Sequence, residues 1–171
     1  MKRIDTKKLA TLSLLISVAM ILSYIESLIP PLVAVPGVKL GLSNIATVFA
    51  LYALGAPAAV TVSLLRVLLS ALLFGSFVSL IYSFSGALLA LAFMIFIRKI
   101  GRFSSVGVSV VGGVAHNAGQ IIAACIVMES AAIALYLPPL VISGTIAGIA
   151  IGIASGILVK KTEKYIKKGN R

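Results

Sequence analysis

Long apolar runs, separated by short polar connections, restrict what this chain can fold into. Crossing the hydrocarbon core of a bilayer takes about 20 apolar residues, because an α-helix rises only about 1.5 Å per residue. The run from Leu9 to Ile29 reaches this length, and comparable runs follow it. The chain has 171 residues, of which 60% are hydrophobic and 11% charged, and a water-soluble fold of this size could not bury so much apolar surface. We therefore expect an integral membrane protein.

The residues that interrupt the apolar runs predict an all-α fold, an integral membrane six-helix bundle that forms a single transmembrane domain over residues 1–171. Pro30 and Pro31 end the first helix, because proline cannot continue the hydrogen-bond ladder. A Gly-Ala-Pro turn at residues 55–57, a Gly-Ser turn at residues 75–76 and one basic cluster separate later helices. The second helix is short for a span. The predicted helices are residues 6–29, 43–54, 57–74, 77–97, 106–128 and 140–159.

The basic residues predict the orientation of the chain in the membrane. Of the 15 Lys and Arg residues, 13 lie in three clusters, at residues 2–8, 98–102 and 160–171. Cytoplasmic segments next to membrane helices are enriched in Lys and Arg, and six helices place all three clusters on one side. We therefore expect a multi-pass protein of the cell membrane with cytoplasmic N- and C-termini. This pattern explains the net charge of +11 better than nucleic-acid binding does.

Two basic residues stand apart from the clusters. Arg66 falls near the middle of the third predicted helix, where a charged side chain is costly unless it faces the interior of the bundle or a watery cavity. Lys39 falls in the loop on the external side, and Glu26 lies at the same end of the first helix. We predict that Lys39 and Arg66 form a cationic site for an anionic ligand and that Glu26 holds them in place. The alternatives are a structural ion pair for Arg66 and a solvated loop charge for Lys39.

The fifth predicted helix contains the densest group of polar residues, His116, Asn117 and Gln120. His116 and Gln120 are four residues apart and share a helix face. We predict that the three side chains contact a ligand, with Asn44 at the start of the second helix as a further candidate. A buried, hydrogen-bonded structural histidine is the alternative. One His and one Cys are too few for a metal site or an intrachain disulfide, and no cofactor is expected.

Small residues predict close helix packing. In a membrane, small side chains let helix backbones approach each other. Glycines recur every four residues from Gly144 to Gly156, and we expect them to face helix five along Ala115, Gly119 and Ala123. On the first helix, small residues recur on one face, and they fit either packing inside the bundle or docking of a partner protein. These candidate docking residues are Ala10, Ser13 and Ser17.

Four segments carry a family resemblance. The sequences are PGVKLGLSNIATVFALYALG at 36–55, LLRVLLSALLFGS at 64–76, SFSGALLAL at 83–91 and GGVAHNAGQ at 112–120. They resemble the Gx transporter family, also labelled heptaprenyl diphosphate synthase component I. That family is similar to the substrate-binding S components of energy-coupling factor (ECF) transporters, and the resemblance covers nearly the whole chain.

The resemblance implies a six-helix subunit that captures a small molecule from outside. An S component hydrolyses no ATP and docks onto a transmembrane coupling subunit that sits on two cytoplasmic ATPases. S components often have an Ala-x-x-x-Ala pattern in helix one, and here Ser13 and Ser17 stand at that spacing. We expect an anionic, vitamin-like or flavin-like ligand, or an isoprenoid diphosphate.

The alternative label of a synthase component implies an accessory role. Prenyl diphosphate elongation needs clustered aspartates to hold magnesium, and this chain has a single aspartate, Asp5. It also has no P-loop. We therefore expect no enzymatic activity from this chain. The alternatives are a membrane accessory subunit of prenyl diphosphate or quinone synthesis and a purely structural membrane partner.

Overall fold

The protein is all α-helical, as its sequence predicts. The computed structural model describes residues 6–28 and 41–169, with side chains through residue 162. Six α-helices and one 3-10 helix lie in these ranges. Their bounds are α1 Thr6–Leu28, α2 Asn44–Ala53, α3 Ala56–Phe74, α4 Phe77–Ile100, α5 Ser105–Val127, the 3-10 helix Ala131–Tyr136 and α6 Leu137–Gly169.

Five of the described helices are long and apolar enough to cross a membrane, namely α1, α3, α4, α5 and α6. The sixth, α2, has ten residues and a length of about 15 Å, half the thickness of a hydrocarbon core. Five of its ten residues are buried, and Val48 and Leu51 belong to the hydrophobic core. The chain is therefore a helical membrane protein in which α2 lies in the interior.

Helix pairing follows the chain order, and α2 sits among its neighbours. Helix α3 contacts α4, α4 contacts α5 and α5 contacts α6, whereas α2 contacts α1, α3, α5 and α6. Ser155 on α6 donates a hydrogen bond to the carbonyl oxygen of Ile45 on α2 at 3.3 Å. Helix α1 contacts only α2 and α3 substantially among the described elements, and its buried residues are Ala19 and Ser23. It is therefore a peripheral helix.

The glycines of α6 pack against α5, as predicted. A Cβ atom on Gly144 would lie 3.0 Å from the backbone of Gly113, and one on Gly148 would lie 2.6 Å from Cα of Val110. The predicted partner face on α5 was wrong. Gly119 faces α4 instead: a Cβ atom added to Gly119 would lie 2.8 Å from the carbonyl oxygen of Ser85. Helix α5 thus has two faces of small residues, one for α4 and one for α6.

Helix α4 continues through part of the basic cluster that was expected to be a connection. Arg98 and Lys99 lie in its last turn, and Gly101 ends the helix with a φ of 75°. Basic side chains in the last turn interact favourably with the helix dipole, and glycine adopts a positive φ without steric cost. Arg98 also donates a hydrogen bond to the carbonyl oxygen of Tyr52 at 3.4 Å and lies 5.0 Å from its ring centroid. The cluster therefore ties α4 to the end of α2.

The connection between α5 and α6 is shorter than predicted. Residues 129–139 were expected to form the connection, but most of them form the 3-10 helix and the first turn of α6. Pro138 and Pro139 lie in that turn, where the missing amide hydrogens leave no intrahelical bond unmade. These prolines therefore begin a helix, and α6 extends ten residues beyond the predicted end at residue 159.

Candidate functional site

The Arg66 side chain lies inside the bundle, halfway along α3. Its Nη2 donates a hydrogen bond to Oδ1 of Asn44 on α2 at 3.1 Å. Its Nε is buried and has no hydrogen-bond partner among the described residues. A buried N–H without an acceptor is costly, so Arg66 retains a donor that an additional group could satisfy.

Glu26 reaches the same region from α1. Its Oε1 accepts a hydrogen bond from the backbone N–H of Gly41, which joins the C-terminal end of α1 to the residues that precede α2. The Glu26 carboxylate also interacts electrostatically with Arg66. Glu26 therefore supplies a negative charge next to a guanidinium that would otherwise lie uncompensated in a largely apolar bundle.

A small cavity of about 60 Å³ brings most of the predicted site residues together. We call it the inner cavity. Its walls include all the predicted ligand-contacting residues except Lys39, which lies outside the described residues. The predicted residues in its wall are Glu26, Asn44, Arg66, His116, Asn117 and Gln120. The structure thus brings these side chains together, whereas their binding roles stay predictions.

The helix α5 residues of this group have packing roles. Asn117 is buried and its Nδ2 donates a hydrogen bond to the carbonyl oxygen of Leu140 on α6 at 2.6 Å. His116 and Gln120 pack closely against Gly86 on α4, where a Cβ atom would lie 2.9 Å from Cγ of Gln120. These three residues therefore line the inner cavity while they also join α5 to its neighbours.

A second cavity of about 430 Å³ adjoins the inner cavity and lies between α1, α3 and α4. We call it the serine-lined cavity, because six serines line it: Ser23, Ser27, Ser70, Ser76, Ser79 and Ser83. Three residues, Glu26, Arg66 and Ser83, line both cavities. The charged pair therefore stands at the junction of a small compartment and a much larger one.

The serines of this cavity differ in how their hydroxyl groups are used. Ser27 donates to the carbonyl oxygen of Tyr24 at 2.7 Å, and Ser76 and Ser79 form the capping box at the start of α4. Ser70 contacts the sulfur of Met20 at 3.5 Å. The Oγ of Ser23, by contrast, is buried and has no partner among the described residues. Together with Arg66 Nε, it is one of two buried polar atoms without a partner in the described residues that line this cavity.

Comparison with known proteins identifies the family. The profile of the family described as heptaprenyl diphosphate synthase component I matches residues 15–158. The chain belongs to this family. The resemblance to that family in the sequence is therefore confirmed. No curated protein and no solved structure matches the chain.

For this member of the heptaprenyl diphosphate synthase component I family, the predicted docking residues lie on the surface of the bundle. Ala10, Ser13 and Ser17 are all exposed. Ser17 donates its hydroxyl hydrogen to the carbonyl oxygen of Ser13 at 3.0 Å, which satisfies it in an apolar environment. These three residues therefore do not pack inside the bundle, and docking of a partner protein is the interpretation that stays open for them.

Sequence reasoning missed the serine-lined cavity. A signal was present, since Ser23 and Ser27 recur at four residues on α1, and Ser76, Ser79 and Ser83 recur at three and four residues on α4. Such spacing places hydroxyl groups on one helix face. What the sequence could not show is that these two faces meet across α3 beside Arg66.

Proposed function

We propose that this chain is the substrate-binding S component of an ECF-type transporter, which captures a small anionic, vitamin-like or flavin-like molecule from outside the cell. The observation that carries the proposal is the position of Arg66, at the junction of two cavities with one buried N–H unsatisfied. A guanidinium in the middle of a membrane helix is costly, and such residues are characteristic of substrate pathways.

The orientation that we propose places the cavities toward the external side. The chain crosses the membrane with both termini in the cytoplasm, and α2 forms a short, buried sixth element of the S-component bundle. The turn at Gly75 and Ser76 lines the serine-lined cavity, and Gly41 lines the inner cavity. The turn at Gly75 and Ser76 lies at the end of α4 opposite Arg98 and Lys99. Because basic segments remain cytoplasmic, this end is the one from which an extracellular ligand would enter.

The partners that we propose are a transmembrane coupling subunit and two cytoplasmic ATPases, and we propose no enzymatic activity for this chain itself. Helix α1 supports this arrangement, because it is peripheral and exposes Ala10, Ser13 and Ser17 in its cytoplasmic half. Small side chains on an exposed helix allow a second helix to approach closely. This face is therefore the docking surface that we propose for the coupling subunit.

A second candidate function follows from the family description. The family is described as a component of heptaprenyl diphosphate synthase, so an accessory membrane subunit of prenyl diphosphate or quinone synthesis is the alternative. Affinity purification of the tagged chain from its native membrane separates the two. Recovery of a coupling subunit with two ATPases supports the transporter, whereas recovery of a soluble prenyltransferase alone supports the accessory subunit.

The binding role of Arg66 can be tested by native mass spectrometry of the purified protein. We expect a bound small molecule on the wild-type chain and its loss in Arg66→Gln, which removes the charge and the donor fork. Arg98→Gln is the matched control, because it removes a guanidinium at the opposite end of the bundle. Equal retention of the molecule in all three proteins would overturn the proposal.

A further inference from the structure

Two residues that each contain a buried polar atom without a described partner line one compartment. Arg66 Nε and Ser23 Oγ are both unsatisfied among the described residues, and both residues line the serine-lined cavity. They come from different helices, α3 and α1. Ser23 is only 9% exposed, so bulk solvent does not compensate its hydroxyl group. Native proteins satisfy nearly all buried polar groups, so two such atoms in one wall indicate a group that completes them.

We infer that the ligand occupies the serine-lined cavity as a small hydroxylated acid, with its acidic group on Arg66 and an oxygen acceptor on Ser23. This inference rests on the proposed function and specifies both the compartment and the chemical class of the ligand. The planar guanidinium fork pairs with a carboxylate or phosphate through two parallel hydrogen bonds, and Nε–H is one of the donors for such a pair.

Cavity size separates the two compartments. Sites for small organic molecules have volumes of about 300 to 1,000 Å³, a range that includes the serine-lined cavity at about 430 Å³. The inner cavity, at about 60 Å³, has room for a few water molecules only. The inner cavity is therefore the side on which Asn44 holds the guanidinium, through its hydrogen bond from Nη2. The ligand binds on the side of the serine-lined cavity.

The chemistry of the wall selects the ligand class. Eight of the twelve described residues that line the serine-lined cavity are polar, namely the six serines with Glu26 and Arg66. A polyprenyl chain in this compartment would supply no acceptor for the Ser23 hydroxyl group, which is unfavourable. A molecule with several hydroxyl or carbonyl groups satisfies the same wall. Phe74 and Val67 provide the apolar contact that such a molecule also needs.

Native mass spectrometry of point variants tests this inference. The comparison uses wild type, Arg66→Gln, Ser23→Ala and Thr11→Ala, all purified identically, with tandem fragmentation of the released molecule. Thr11 is the control, because it lies on the same helix outside the walls of both cavities and its hydroxyl group donates within α1 to the carbonyl oxygen of Lys7. We expect Ser23→Ala to lower the bound fraction about tenfold, as for loss of a hydrogen bond to a charged or strongly polar group, and Thr11→Ala to leave it unchanged.

The outcomes distinguish this inference from the function on which it rests. Loss of the bound molecule in Arg66→Gln with full retention in Ser23→Ala overturns the placement in the serine-lined cavity and leaves the substrate-binding function standing. A fragment series from a polyprenyl chain overturns the hydroxylated acid as the ligand class. Absence of any bound molecule from wild type, or retention in Arg66→Gln, overturns the proposed function and this inference together. Thermal unfolding of each variant in the same detergent identifies any loss that arises from misfolding.

Discussion

Oδ1 of Asn44 accepts a hydrogen bond from Nη2 of Arg66 at 3.1 Å, and this contact joins the first turn of α2 to the middle of α3. It fixes the guanidinium between the inner cavity and the serine-lined cavity. The bond leaves Nε without a partner among the described residues, so the same contact that positions Arg66 also determines which donor remains for a ligand.

We therefore expect Asn44→Ala to destabilise the protein by about 1–3 kcal/mol, the usual cost of leaving a buried donor unsatisfied. Asn44→Asp keeps an acceptor at the same position and adds a countercharge, so it should retain the fold. Thermal unfolding in detergent micelles measures both effects. Equal melting temperatures for wild type and Asn44→Ala would show that the contact does not stabilise the bundle.

Glu26 gives a prediction about charge. Its carboxylate interacts with Arg66 and would repel an acidic group bound there. Glu26→Gln removes this repulsion and retains an oxygen that can accept from the N–H of Gly41. We expect this variant to hold the bound molecule more tightly than wild type in native mass spectrometry at increasing collision energy.

Glu26→Ala is the companion to this variant, because it removes the charge and the acceptor for Gly41 together. We expect it to unfold at a lower temperature than Glu26→Gln. A weaker hold on the molecule in Glu26→Gln than in wild type would mean that the Glu26 charge supports binding instead of opposing it.

The α5–α6 contact gives a prediction about packing. A Cβ atom on Gly113 would overlap the carbonyl oxygen of Gly144, and two helix backbones cannot yield as a flexible side chain can. We expect Gly113→Ala to cost about 1–3 kcal/mol of stability through overpacking.

Gly107→Ala is the control for this substitution within the same helix. Its Cβ would lie 3.4 Å from the ring of Phe103, an ordinary contact, and alanine has the higher helix propensity. Thermal unfolding should therefore show Gly107→Ala at or above wild type and Gly113→Ala below it. The reverse order would mean that the helices can separate at Gly113 without loss.

The sequence predicted the class of fold and the family because both depend on features that are local in the chain. Apolar runs and their glycine and proline interruptions determine where helices form, and the described helices follow them. The basic cluster was harder to assign, since basic residues are typical of connections, whereas Arg98 lies in the last turn of α4 and contacts Tyr52. Contacts between distant segments decide such boundaries.

The candidate site was predictable in part for the same reason. Arg66 and His116 stand out because polar groups are rare in membrane helices, and the inner cavity includes both. Ser23 and Ser83 do not stand out, because serine is common in membrane helices and often bonds to its own backbone. Whether Gly119 packs against α4 or α6 could likewise not be predicted, since α5 has small residues on the faces toward both helices. Only the assembled bundle distinguishes them.

The exposed face of α1 gives the last prediction, which concerns the partner. If a coupling subunit docks on Ala10, Ser13 and Ser17, a large side chain there should prevent close approach of its helix. We expect Ser17→Phe to reduce co-purification of the coupling subunit and ATPases at least tenfold while the small molecule stays bound, because the cavities lie farther along α1. Ala150→Phe on α6 is the matched control, since Ala150 is also exposed and the substitution adds the same aromatic group. Equal recovery of the partners with both variants would exclude this face of α1 as the docking surface, whereas loss with both would point to a general effect of aromatic bulk at the lipid-facing surface.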